Sequence, residues 1–331
     1  MRKWSELTEA EQNRLKRAQR TRENRRGRKR PAQLPNKLAR TAAFAPRRNG
    51  LITDSKFERT YVVAGGSVIH VSGRELGSQH RDAIYALFRL CPKCVSVANP
   101  NYNRAQPESA LNTKTRIHYE TRTTWRELIR TLGNTAHPNN LLTLLQIFEE
   151  LQKVVIRVQR GNPFEVLGAN DAGNLNGPGM SENIITRIIW HGAELDSVVE
   201  IYYGEWIRNT FEANHLVSLN ADVQFRLKND HAKSFWPYID SQVHHHFVDE
   251  DTLASLAGRN LWSEGEDSAT RSDFRKKCKR AFDDMKKAGG LQDYGIETLG
   301  KGRRKSRRYH YIHALPRQME MDISYGDNPL V

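Results

Sequence analysis

The chain has 331 residues, is 38% hydrophobic and 27% charged, and carries a formal net charge of +14. That length suggests two domains with ordinary apolar cores. No apolar run approaches the ~18 residues that cross a bilayer, the N-terminus lacks the apolar stretch of a secretory signal, and three cysteines are too few for a disulfide framework. A soluble cytoplasmic protein with no membrane association is the expectation.

The positive charge is concentrated. Residues 1–50 carry a net +12, residues 271–317 a net +10, and the rest of the chain sums to −8. Solubilising charge is normally mixed in sign, so two such blocks read as the footprint of a polyanion partner. Residues 1–30 are polar and basic, with almost no apolar stripe to bury. They read as a disordered arm that raises nucleic-acid affinity without reading sequence.

From about residue 51 the pattern becomes that of a folded domain. KFERTYVVAGGSVIHVSG predicts a hairpin turning at Gly65-Gly66. QHRDAIYALFRL predicts a helix burying Ala83, Ile84, Leu87 and Phe88. Residues 91–115 are rich in Pro and Asn and read as a loop. TTWRELIRTLGNTAHPNNLLTLLQIFEELQKVVIRV predicts two helices around a turn, then a strand. Residues 161–181 read as a loop. NIITRIIWHG, DSVVEIYYG and residues 216–219 read as strands.

A second unit begins near residue 228. Phe235, Ile239, Val243 and Phe247 recur every four residues, which predicts a helix capped by Ser234 with Pro237 in its first turn. DEDTLASLAG predicts a short helix ended by Gly258. TRSDFRKKCKRAFDDMKKAGG predicts a third helix, with Thr270 and Asp273 as its capping pair. The strand YGIETL, a basic loop and the strand RYHYIHAL complete the unit.

Both halves run helix, helix, turn, helix, strand, loop, strand. Leu128, Leu132 and Gly133 also share the spacing of Leu253, Ala257 and Gly258. The predicted fold is therefore α+β: two tandem winged helix-turn-helix domains with a disordered basic N-terminal arm. The expected boundaries are 1–50 for the arm and entry segment, 51–226 and 227–318 for the two winged domains, and 319–331 for a C-terminal tail.

In such a fold the last helix lies in the DNA major groove. On a helical wheel Phe274, Cys278, Ala281, Phe282 and Met285 form one apolar stripe. Ser272, Lys276, Lys279, Arg280 and Lys287 lie opposite, with Asp283 among them. Arg and Lys suit guanine edges and Ser is permissive. Arg275 and Lys277 flank the stripe and point to phosphates. Arg303, Arg304, Lys305, Arg307 and Arg308 form a wing too charged to pack on protein, suited to phosphates or a minor groove. Tyr309 and Tyr311 face one side of the following strand. In the first unit, Asn139, Thr143, Gln146 and Glu150 give a neutral to acidic face, expected to contribute less to base reading. Arg122, Arg126, Arg130 and Lys153 are its candidates for phosphate.

The remaining motifs carry little chemistry. Cys91-Pro-Lys-Cys94 has zinc-ligand spacing but lacks a second pair, with His80 and His118 as the nearest candidates. Consecutive residues His244, His245 and His246 would point about 100° apart on a helix and so do not converge on one ion. GKGRRKS lacks P-loop spacing. HYIH at 310–313 lacks the spacing of a nicking enzyme. No paired acid and base or activated nucleophile is evident, so neither an enzyme nor a cofactor is expected.

Several stretches together resemble the plasmid replication initiators of the TrfA type. LPNKLARTAAFAPRR at 34–48 resembles that family's entry segment, and GRELGSQHRDAIYALFRL its first helix. WRELIRTLG with NLLTLLQIFEEL resembles its first helix-turn-helix, and Phe235 through Leu315 its second winged helix. The resemblance implies a bacterial, plasmid-associated protein. It would bind repeated origin sites (iterons) in double-stranded DNA, help open AT-rich DNA, and recruit the host initiator DnaA and the replicative helicase. It also implies a monomer–dimer equilibrium, with residues 271–287 reading the iteron and 301–308 forming the wing. Residues 259–270 lengthen the turn before the last helix relative to the family. A winged-helix transcriptional regulator is the alternative reading, and a Rep nuclease ranks third.

Overall fold

A computed structural model describes residues 31–47, 50–63, 67–99, 101–106, 112–160, 179–242, 246–259, 268–300 and 305–314. The arm at 1–30, the Gly65-Gly66 turn, His244, His245, Arg303, Arg304 and the tail at 319–331 lie outside the described residues.

The chain divides into two units. One is residues 51–216, and the other joins residues up to 50 with those from 217 onward. The expected boundary at 226/227 therefore moves to 216/217, and the entry segment belongs with the second winged unit. The cause is burial. Strand β1 (Ala32–Pro35) pairs with the strand at Leu216–Leu219, helix α1 (Asn36–Ala39) packs on the helix at Asp230–Ser241, and Leu34, Leu38 and Ala39 are buried. Strand β2 (Phe44–Ala45) ends the segment.

The 51–216 unit opens with the hairpin β3 (Phe57–Val63) and β4 (Ser67–Gly73), then β5 (Leu76–Gly77) and α2 (Ser78–Arg89). Ala83, Ile84, Leu87 and Phe88 are fully buried, as their spacing predicts. The expected loop at 91–115 instead contains β6 (Lys93–Ala98), which pairs with β7 (Thr115–Thr124). Helices α3 (Trp125–Thr131) and α4 (Pro138–Gln152) follow, then β8 (Val155–Arg160), β9 (Gly179–Asn183), β10 (Ile185–Trp190), β11 (Val198–Tyr203) and α5 (Glu205–Glu212). Strands β8 and β9 join the first hairpin in the order β3-β4-β8-β9, while the second sheet runs β10-β11-β7-β6.

The other unit continues through β12 (Leu216–Leu219), α6 (Ala221–Arg226), α7 (Asp230–Ser241), β13 (Phe247–Asp249), α8 (Glu250–Leu256), α9 (Ser268–Lys287), β14 (Leu291–Leu299) and β15 (Ser306–His313). Its sheet order is β13-β15-β14. Helix α7 departs from the expected helix at both ends. The Asn229 side chain, and not Ser234, caps it by accepting from the backbone N–H groups of His231 and Ala232. The helix stops at Ser241, so Phe247 belongs to a strand and its fourfold spacing is coincidental. Helix α9 has begun by Ser268, which places Thr270 inside it rather than at its cap.

The two units share a frame. In the second, α7, β13, α8, α9, β14 and β15 follow in order. In the first, α2, β7, α3, α4, β10 and β11 occupy the same places, with β8 and β9 diverted to the other sheet. The three-strand orders β7-β11-β10 and β13-β15-β14 correspond. The turns match as well. Gly133 at φ 78° ends α3 while Asn134 N–H donates to the Ile129 carbonyl. Gly258 at φ 68° ends α8 while Arg259 N–H donates to the Ala254 carbonyl. Each is a left-handed glycine cap that closes a helix and redirects the chain.

His231, in the first turn of α7, lies edge-on to Phe235 and Phe274. Burial, with help from Lys277 and Arg259, lowers its pKa from 6.5 to about 4. The unfolded chain therefore binds this proton first, so stability is complete above the unfolded value and is lost as pH falls toward the folded one. Urea denaturation is expected to show a loss of about 2 kcal/mol between about pH 7 and pH 5. His231→Phe should remove that loss, and an unchanged pH dependence in the variant would assign it to other groups.

Candidate nucleic-acid interface

Helix α9 is oriented by its apolar stripe. Phe274, Cys278, Ala281, Phe282 and Met285 are all fully buried. The helix packs on α7 and β14, and Phe282 stacks on Tyr309 of β15 at 5.0 Å between ring centroids. Tyr309 and Tyr311 are both buried on the face that the strand alternation predicts. Asp284 adds a polar anchor: its carboxylate accepts from the backbone N–H groups of Lys228 and Asn229, each at 2.8 Å, at the entry to α7. Burial and the nearby Glu250 push the Cys278 thiol up, so it stays a neutral core group.

The outward face is then sorted by pairing. Lys277 binds Asp273 at 2.6 Å, which holds the Asp273 carboxyl below its usual range. Lys286 binds Asp293 at 2.9 Å. Asp283, which looks misplaced among cations, accepts from the Tyr294 hydroxyl at 2.6 Å. What remains is Ser272, Lys276, Lys279, Arg280 and Lys287, all exposed. The four cations make no ion pair or hydrogen bond to a described residue. Lys276, Arg280 and Lys287 are four and seven residues apart, which spreads them over ~16 Å of one helix face. That is a row of free donors of the length and shape a major groove admits.

The wing stands beside this row. Strands β14 and β15 pair up to Leu299 and Ser306. Lys305 is exposed. Two cations expected to reach phosphate have other partners. Arg275 donates from Nε and Nη2 to both oxygens of Glu250, at 2.6 and 2.9 Å, and Glu250 pushes its pKa up. Arg308 forms the same fork with Asp249 and lies 4.1 Å over the Phe247 ring. The backbone N–H of Arg307 donates to Glu250. Glu250 is the residue that spacing alone did not single out. Its only signal in the sequence is an acidic residue opening a helix.

The first unit offers a different surface. The exposed side of α4 carries Asn139, Leu142, Thr143, Gln146 and Glu149, and Leu142 is 62% exposed. Glu150 turns inward instead, accepting from His80 Nε2 at 2.7 Å and Arg74 at 2.6 Å. His80 Nδ1 accepts from Gly77 N–H, so both ring nitrogens are engaged. Arg126 is forked onto Asp196, and Arg122 lies 3.5 Å from Glu200. Residues 51–216 contain 17 Lys/Arg and 17 Asp/Glu, a net charge of zero. Among the described residues no cluster of His, Cys, Asp and Glu could hold a metal, and no helix is long and apolar enough to cross a membrane.

No protein-family model and no curated protein sequence matches the chain. Solved structures share its fold, and two of them cover most of the chain. Domains 2 and 3 of RctB superpose with a TM-score of 0.51 at 10% identity, over 85% of this chain and 98% of that one. The Pi initiator protein, solved in complex with iteron DNA, superposes with a TM-score of 0.51 at 12% identity, over 88% of this chain and 100% of that one. The chain therefore shares the fold of these two structures, with tandem winged-helix domains.

If the free row on α9 reads bases, Lys276→Ala with Arg280→Ala should abolish site preference while weaker, non-specific binding persists. Competition between specific and random duplex in fluorescence anisotropy measures this directly. Wild-type discrimination in the double variant would remove α9 from the reading role.

Proposed function

We propose that the protein is a replication initiator that binds repeated duplex sites in an origin. The observation that carries this reading is the row of unpartnered cations on α9 beside a basic wing, set on the fold of an initiator solved with iteron DNA. Lys276, Lys279, Arg280 and Lys287 supply base-edge and phosphate donors, and Ser272 adds a small hydroxyl. Lys305, with Arg303 and Arg304 next to it in sequence, supplies phosphate contacts at the wing. The basic residues of 1–30 add affinity that is independent of sequence.

By the same reading the protein does no covalent chemistry of its own. It works by binding, by promoting the opening of adjacent AT-rich DNA, and by recruiting the host initiator DnaA and the replicative helicase. The resemblance to TrfA-type initiators supports a plasmid origin as the target and a monomer–dimer equilibrium as the control on copy number.

The test is anisotropy on DNA flanking the gene, with excess unrelated competitor. Saturable binding that maps to spaced direct repeats supports an initiator. Binding to one short palindrome would favour a winged-helix regulator, and binding erased by competitor would leave a general basic binder.

Deletion of residues 1–30 should preserve the preferred site and flatten the salt dependence. Each lost phosphate contact removes about 0.9 from the slope of log affinity against log salt. An unchanged slope would show that the arm does not engage DNA.

A further inference from the structure

We propose that Arg275 and Glu250 form a latch that fixes the wing against the reading helix, and that Arg275 is a positioning residue rather than a phosphate contact. The inference rests on the DNA-binding reading above and assigns the part that sets its geometry.

One carboxylate joins three elements. Glu250 opens α8, and its side chain is fully buried. Its two oxygens take the Arg275 fork from α9, and Oε2 also accepts the Arg307 N–H of β15 at 3.0 Å. Arg275 Nη2 donates in turn to the Lys305 carbonyl at 2.6 Å. Lys305 and Arg307 flank Ser306, the residue at which β15 starts to pair with β14. The latch therefore grips the base of the wing tip on both sides of its first paired residue. From that point the chain leads back to Lys305, Arg304 and Arg303.

Two physical arguments favour positioning over stability or direct DNA contact. A buried ion pair is a weak net stabiliser, because desolvation offsets most of the attraction, so apolar residues of like volume hold a core as well. Only a planar guanidinium satisfies a carboxylate in two-point fashion while donating to a carbonyl from the same nitrogen, and a lysine ammonium does not. A phosphate contact, by contrast, tolerates lysine, because it needs charge more than shape.

The experiment uses the full-length protein in three forms: wild type, Arg275→Lys, and the apolar pair Glu250→Leu with Arg275→Met. Each is measured on the origin-repeat duplex and on a random-sequence duplex across a salt series, with urea denaturation alongside. The latch predicts that the apolar pair keeps the wild-type denaturation midpoint or exceeds it. It predicts that both variants nonetheless bind the repeat about tenfold more weakly, with a slope reduced by at least one contact's worth, about 0.9. Arg275→Lys at wild-type affinity and slope would overturn the latch and restore Arg275 as a phosphate contact. A stable apolar pair with wild-type binding would overturn it as well. If the apolar pair does not fold, Arg275→Lys decides alone. If wild type shows no preference for the repeat, the origin-binding reading fails, and the latch is still decided by the slopes on random duplex.

Discussion

The burial of one stripe on α9 governs the rest of the second unit. Phe274, Cys278, Ala281, Phe282 and Met285 leave water together, and each large apolar side chain contributes about 1.5–3 kcal/mol. Exposed ion pairs contribute about 0–1 kcal/mol each, so charge has no power to rotate the helix against that stripe. The rotation decides which cations face outward. It also delivers Asp284 to the start of α7, Arg275 to Glu250, and Asp283 to Tyr294. The acidic residues on this basic helix are thus absorbed by the domain itself, and the residual face is more uniformly positive than the sequence suggests.

The same frame serves two electrostatic purposes in one chain. In the 51–216 unit, matching strands, helices and glycine caps support a helix whose exposed side is uncharged apart from Glu149, on a unit with no net charge. Arg122 and Arg126 are paired within the sheet and wing region. In the second unit the homologous surface is cationic. On the proposed reading, long-range attraction to a polyanion belongs to the second unit and the basic residues of 1–30.

Where a signal was periodic and buried, the sequence was readable. The stripe of α9, the core of α2, and the alternation of Tyr309 and Tyr311 all follow from spacing. Three features were hidden for physical reasons. Strand β6 is exposed along most of its length, so burial imposes no pattern on it, and Pro92 and Asn99 beside it mimic a loop. The entry segment packs through short elements and alanines, which carry no periodicity. Phe247 matched the α7 repeat by chance, and β13 has three residues, too few for alternation to declare itself. At the interface, the free cations of α9 were legible because the wheel placed them opposite the stripe. The roles of Arg275 and Arg308 were not, since their partners Glu250 and Asp249 lie far away in sequence.

The separation between the latch and the free row has a consequence for divergence. Residues that hold the domain together are buried or paired, whereas Lys276, Lys279, Arg280 and Lys287 are exposed and make no ion pair or hydrogen bond to a described residue. Substitutions at exposed, unpartnered positions shift stability by about 0.5 kcal/mol or less. This face is therefore free to change its side chains without a folding penalty. On the proposed origin-binding reading, two initiators built on this scaffold would need only a few such exchanges to stop recognising each other's repeats, and the scaffold would register no difference.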